Sequence, residues 1–167
     1  PDDPEANDRV TVKYGYYTSS SYYIESYELS DGTTLSAEQL LQLAEVRGTS
    51  GNDIISASTL GDLVKAGDGA DTIWGSLSAD NRLHGEGGND KITIKSYGST
   101  ASYENEFVGG AGNDTLTGAQ GADTYVFNRG DGRDTVLDSG GSSSKQDRIL
   151  FGEGITADDL DIWVQPG

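Results

Sequence analysis

Apolar residues recur along the middle of the chain at a step that fits neither an amphipathic helix nor an alternating strand. Ile55, Val64, Ile73, Ile92, Phe107, Leu116, Tyr125 and Val136 each follow a short polar stretch rich in glycine, and the underlying step is nine residues. The frame reads Gly-x-x-Gly-x-Asp-x-apolar, and Gly48-Thr49-Ser50-Gly51-Asn52-Asp53-Ile54-Ile55 fills it. Residues 66–73, 85–92, 109–116 and 118–125 fit well, and 131–136 continue the series after a two-residue slip. Residues 57–64 keep only Asp62 and Val64 in their slots, 75–80 form a degraded copy ending at Asp80, and 100–107 put Asn105 in the Asp slot. Residues 94–99 are an excess that reads as a bulging loop.

Such a unit holds a turn and a strand too short to bury anything alone. Two units make one right-handed coil with a turn on each side, and stacked coils merge the apolar positions into one buried column. Glycine in the turns permits positive φ at low steric cost. Aspartates eighteen positions apart then lie one above another at about the 4.8 Å strand spacing, where they repel unless a cation sits between them.

Before the repeat, residues 10–14 and 24–29 alternate as strands do, joined by a Tyr-rich stretch, with a turn at Asp31-Gly32. Ser36-Ala37-Glu38-Gln39 reads as a helix start leading into Leu40, Leu41, Leu43 and Ala44. The expected organisation is a strand–strand–helix capping unit over 1–46, a repeat roll over 47–137 and a capping segment with the start of a following unit over 138–167. Thr124-Tyr125-Val126-Phe127 is a continuous strand-forming run that can pair with residues 147–151.

Composition narrows the chemistry. The 167 residues carry 28 acidic against 11 basic side chains, a formal charge of −17, and the acids are 19 Asp to 9 Glu. An acidic surface repels phosphate, so nucleic acid and anionic membranes are poor partners, and no apolar run is long enough for a membrane span. There is no Cys and one His, which removes disulfides, thiolate sites and His-rich cages. Carboxylate and backbone oxygens with no soft ligand select a hard cation, and flexible glycine turns suit calcium better than octahedral magnesium. The twelfth-position Glu of an EF-hand loop is missing after Asp68 and Asp131. His84, expected at a coil corner, has no nucleophile-and-acid pattern around it, so an enzyme is not expected.

These blocks resemble the hemolysin-type calcium-binding nonapeptides of RTX (repeats-in-toxin) proteins over about residues 48–136. The resemblance implies an all-β fold, a calcium-bound parallel β-roll or β-solenoid with small strand and helix capping units. It also implies about four to six Ca²⁺ ions, each between two turns of one side. The upper turn would give its second and fourth carbonyls and its Asp, the lower turn its first and third carbonyls and its Asp. One ion would then take Thr49, Gly51, Asp53, Ala66, Asp68 and Asp71, and the next Gly67, Gly69, Asp71, Gly85, Gly87 and Asp90. A third would take Glu86, Gly88, Asp90, Gly109, Ala111 and Asp114, and a fourth Gly110, Gly112, Asp114, Arg129, Asp131 and Asp134. On the opposite side the implied ligands are Asp62 with Asp80, Asn105 with Gly118, Gln120 and Asp123, and Asp147 after them; Asn105 is expected to lower affinity without removing the ligand.

Function follows as an expectation: a calcium-binding module that folds on binding, within a larger multidomain exoprotein (toxin, adhesin or exoenzyme) that leaves a Gram-negative cell by type I secretion. The alternative is an adhesin-like module for a cell-surface, carbohydrate or protein ligand, or the substrate-contact appendage of an extracellular enzyme. The Tyr cluster of the first 27 residues is the feature that speaks for it.

Overall fold

Triplets such as Glu45-Val46-Arg47 and Thr115-Leu116-Thr117 are too short to stand alone as strands, yet each has an apolar centre between two polar neighbours. In the computed structural model, which describes residues 26–36, 39, 45–58, 61–94, 103–138 and 146–160, these triplets become rungs of two parallel sheets. The strands are β1 (Ser26–Glu28), β2 (Thr34–Ser36), β3 (Glu45–Arg47), β4 (Ile54–Ser56), β5 (Leu63–Asp68), β6 (Thr72–Gly75) and β7 (Arg82–Gly87). They continue with β8 (Lys91–Ile94), β9 (Glu106–Ala111), β10 (Thr115–Thr117), β11 (Thr124–Phe127), β12 (Thr135–Leu137) and β13 (Arg148–Phe151), followed by a 3₁₀ turn, Ala157–Asp159.

From β3 onward the chain alternates between sheets. Odd strands form a six-stranded sheet in the order β13-β11-β9-β7-β5-β3, and even strands a five-stranded one in the order β12-β10-β8-β6-β4. Every pairing in both sheets is parallel, so each coil contributes one strand to each sheet. The architecture is a β-roll.

The central residue of each rung points inward. Ile55, Val64, Ile73, Leu83, Ile92, Phe107, Leu116 and Tyr125 are buried, with Ala66, Ile94 and Ala119, and Val136 packs against them partly exposed. Phe107 and Tyr125 stack at a centroid distance of 5.0 Å. Burying a column of this kind stabilises by about 25 cal/mol per Å² of apolar surface removed from water, and no coil can do it alone.

The chain divides into two compact units, Pro1–Ala37 and Glu38–Gly167. In the first, β1 and β2 form an antiparallel hairpin, with Ser26 opposite Ser36 and the Asp31 side chain accepting from the Thr33 N–H at 2.8 Å. In the second, β3 and β13 are the outer strands of the six-stranded sheet, so the roll extends from Glu45 to Phe151.

Several expectations change here. Ser36 also ends a strand, Thr34-Leu35-Ser36 pairing back on β1 across the Asp31-Gly32 turn, while Gln39 three residues on is helical, as the expected helix start requires. Ile94 does not begin a loop: it closes β8, pairs with Gly75 and is 3% exposed. His84 lies inside β7, not at a corner, with Nε2 3.5 Å from the Glu106 carboxylate on the adjacent strand. The first predicted strand, the segment 95–99, the predicted helix apart from Gln39 and most of the Tyr cluster lie outside the described residues. No helix among the described residues is long and apolar enough to cross a membrane.

Candidate metal centre

The alternation between sheets sorts the turns into two columns. The first column joins odd to even strands and ends in Asp53, Asp71, Asp90, Asp114 and Asp134; the second joins even to odd strands and ends in Asp62, Asn81, Asn105, Asp123 and Asp147.

In the first column the aspartates are chained together. The Asp53 N–H donates to Asp71 Oδ1 at 2.7 Å, Asp71 N–H to Asp90 Oδ1 at 2.8 Å, Asp90 N–H to Asp114 Oδ1 at 2.7 Å, and Asp114 N–H to Asp134 Oδ1 at 3.0 Å. One oxygen of each carboxylate therefore fixes the coil spacing. The other is left over: Oδ2 of Asp71, Asp90, Asp114 and Asp134 is buried and has no hydrogen-bond partner. Asp53, in the outermost coil, instead accepts from its own turn, through the Thr49 N–H at 2.6 Å and the Thr49 hydroxyl at 2.9 Å.

Unpartnered carboxylate oxygens out of water are costly, and the protonation equilibria register that cost. Burial pushes the Asp90 and Asp134 carboxyls above the usual range. Asp114 rises to about 6, chiefly through burial and further through the charges of Asp134, Asp90 and Asp131, against a hydrogen bond from the Asp90 N–H. A row of buried oxygens that find no N–H or O–H donor fits a hard divalent cation.

The backbone supplies more oxygen around them. Oδ2 of Asp90 and the Gly109 carbonyl both lie where a Cβ on Gly85 would stand, and Oδ2 of Asp114 occupies the same place beside Gly109. The second- and fourth-position carbonyls point at the next coil: Thr49 O lies against Gly67, Gly69 O against Gly88, Glu86 O against Gly110 and Gly88 O against Gly112. Gly88, at φ 121°, is required twice over, by its left-handed backbone and by the Gly69 carbonyl that a side chain would overlap. Glu86 holds φ 74° without being glycine, alone in this among the described residues.

Of the predicted ligand sets, the structure brings Asp53 next to Asp71, Asp71 next to Asp90, Asp90 next to Asp114, and Asp114 next to Asp134. Ala66 is buried with its carbonyl against Gly48, whereas the Asp68 side chain is exposed. The Asp131 Oδ2 accepts from the Asn128 N–H at 2.6 Å, and the Arg129 side chain reaches away to the Gly154 carbonyl and to Asp159 at 3.0 Å. Two asparagines that the sequence reading passed over form a parallel rail. Asn52 Oδ1 accepts from the Ala70 N–H and Asn89 Oδ1 from the Asn113 N–H, both at 2.8 Å. Their signal was present in the Asn that precedes Asp53, Asp90 and Asp114.

The second column is built differently. Leu63 is in register with Arg82, so the residue over Asp62 is Asn81, and Asp80 is displaced to the surface, where its Oδ1 accepts from the Glu104 N–H at 2.8 Å. This coil thus holds one residue more than two nine-residue steps, and the extra residue lies inside the turn before Asn81. Both Asp62 oxygens fold back on Ser58, Oδ2 to its N–H and Oδ1 to its hydroxyl. Asp123 is wholly buried; Oδ1 accepts from the Asn105 N–H at 3.1 Å and Nδ2 at 2.9 Å, and Oδ2 from the Ala119 N–H at 3.1 Å. The Asp123 N–H donates to Asp147 Oδ1 at 2.9 Å. Asp138, which no repeat frame marks, groups with Asp123 and Asp147 and accepts the Tyr125 hydroxyl at 2.5 Å. Gly118 is buried against that hydroxyl, while Gln120 is exposed.

Comparison with known families decides the matter. Residues 47–80, 77–93 and 100–136, together about half of the chain, match the RTX calcium-binding nonapeptide repeat. The chain belongs to the RTX calcium-binding repeat family. Residues 4–39 match the haemolysin-type calcium binding protein related domain. No curated protein and no solved structure matches. The roll is thus made of calcium-binding RTX repeats.

Proposed function

We propose that this chain is the calcium-folded segment of a secreted protein, held together through its first column of turns. The observation that carries the reading is the row of four buried, unpartnered aspartate oxygens, with the Gly109 carbonyl beside that of Asp90. Asp71, Asp90 and Asp114 each stand between two coils and would serve an ion on either side. Asp53 and Asp134 would close the ends of the series, with carbonyls of Thr49, Gly51, Gly69, Glu86, Gly88, Gly109 and Gly112 completing the oxygen set. Bound calcium would supply positive charge to carboxylates that otherwise repel and stay desolvated.

The −17 charge opposes compaction when calcium is scarce, as in a cytosol, and less so when calcium is abundant outside the cell. This supports export as an unfolded chain by type I secretion from a Gram-negative cell, with folding outside, and a binding rather than an enzymatic role for the segment. Far-UV circular dichroism tests it. The spectrum should change from unordered to β-rich on adding calcium and return with EDTA, with magnesium a poor substitute. A chain equally β-rich in excess EDTA at neutral pH would sink the proposal.

A further inference from the structure

The second column raises the question of what closes a stack of turns when the frame's aspartate is replaced by asparagine. Asn81 and Asn105 are 1% and 4% exposed, as deeply buried as Asp71, Asp90 and Asp114 in the first column. Their amide groups are fully engaged. Asn81 Nδ2 donates to Asn105 Oδ1 at 2.8 Å and to the carbonyls of Ser76 and Ala79 at 2.8 and 2.9 Å. Asn105 Nδ2 donates to Asp123 Oδ1 at 2.9 Å and to the Tyr103 carbonyl at 3.4 Å. Asn81 Oδ1 accepts from Ser76 N–H at 3.3 Å, and Asn105 Oδ1 accepts from Asn81 N–H at 3.1 Å.

The oxygens around these NH₂ groups are turn carbonyls and the carboxylate or amide of the next coil. Those are the oxygen types a divalent ion would gather, but here they already accept hydrogen bonds. An NH₂ group is a donor only, and its hydrogens repel a cation. No side-chain oxygen or nitrogen of Asp62, Asn81, Asn105 or Asp123 appears among the buried groups without a partner, in contrast to the four Oδ2 atoms across the roll. Buried polar groups that are all satisfied offer a cation nothing it can gain without first breaking bonds.

We infer that Asn81 and Asn105 are specificity-determining residues that exclude calcium from the second column between Asp62 and Asp123, their side-chain amides closing the turns in place of ions. The inference rests on the first column being the calcium-binding one. It departs from the expectation that Asn105 serves as a weakened ligand: its oxygen accepts from the preceding coil's Asn81 N–H, and its nitrogen donates to Asp123 Oδ1.

The test uses the full chain at saturating calcium, counting bound ions by equilibrium dialysis for the wild type, Asn105→Ala, Asn105→Asp and Asp90→Ala. Asp90→Ala should lose ions and Asn105→Ala should lose none. Asn105→Asp restores a carboxylate opposite Asp123 and should gain one ion. In parallel, a paramagnetic lanthanide titrated into ¹⁵N-labelled wild type should broaden amides beside Asp90 and Asp114 first, leaving the Asn81 and Asn105 side-chain NH₂ signals sharp. Loss of an ion in Asn105→Ala, or early broadening of those two NH₂ signals, would overturn the inference. A wild type that binds no ion would instead overturn the first-column reading, and the two failures are separate.

Discussion

The two columns of turns sit on opposite sides of one hydrophobic column, come from the same nine-residue frame, and solve the same problem by opposite means. Each must bring polar side chains of successive coils together at strand spacing without water. On the first side the side chains are carboxylates that use one oxygen to tie coils and leave the other without a donor. On the second side, two amides supply both an acceptor and a donor, and the turns close on themselves. Substituting NH₂ for O⁻ changes little in shape and reverses the sign of what the site wants. One column leaves buried carboxylate oxygens without a donor; the other, from Asp62 to Asp123, has its buried polar side chains paired.

That contrast can be broken in several ways. The largest effect is expected from Gly88→Ala. It would overlap the Gly69 carbonyl and strain a φ of 121°, so the loss should reach about 3 kcal/mol or more and exceed that of most point variants. Gly130→Ala has a similar φ of 101° with nothing nearby and should cost only about 1–2 kcal/mol. Chemical denaturation in saturating calcium measures both, and equal losses would remove the close carbonyl approach as a cause.

Next comes Asp90→Asn against Asp62→Asn. The first removes charge from two neighbouring first-column positions and should raise the calcium midpoint by about tenfold or more, because affinity follows ligand charge. The second loses a carboxylate already paired with Ser58 and should move the midpoint less than about twofold, read in the same circular dichroism titration. Equal shifts would merge the two columns into one kind of site.

A subtler difference concerns rescue. Asn105→Leu should cost about 1–3 kcal/mol by orphaning buried partners around Asp123, and raising calcium should restore none of it. The deficit of Asp90→Asn should shrink as calcium rises. Thermal melts at two calcium concentrations distinguish these.

The smallest effect is in pH. Burial raises the Asp90, Asp114 and Asp134 carboxyls, with Asp114 near 6, and raises Asp123 across the roll in the same direction. A carboxyl that holds its proton more tightly when folded favours the folded state at low pH and loses that contribution as pH rises from about 4 through 6. Without calcium, the roll should therefore gain structure on acidification from pH 7 to 5. Over the same interval calcium binding should weaken, since protons compete for the same oxygens. Circular dichroism in EDTA across that range checks the sign.

Much of this architecture is legible in the sequence itself. The nine-residue step gives the rungs, and the step of two units gives the stacking of Asp53 on Asp71. The misplacements have identifiable causes. In the degraded copy, Asp80 attracts the frame because it is an aspartate, and Asn81, one residue on, takes the slot because Leu83 must face inward. Aligning on the apolar residue instead would have recovered both. The helix start at Ser36 was legible, and Gln39 is helical, but the pairing of Thr34–Ser36 with Ser26–Glu28 across a tight turn is a non-local preference that local propensity does not encode. The direction of an amide is still less visible. Asparagine at position 105 offers an oxygen and a nitrogen, and only the arrangement of Tyr103, Asn81 and Asp123 around it determines which points where.

The chained N–H to Oδ1 bonds of the first column run along the stack, parallel to the ladder hydrogen bonds of both sheets. A pull on the two ends of the roll would load these bonds one coil at a time, as in unzipping, rather than all together as in shear. Each coil occupies about 4.8 Å of the stack but about 60 Å of extended chain. A roll of this design can thus lengthen more than tenfold in discrete steps, and on its first side the resistance at each step would rise with the calcium concentration around it.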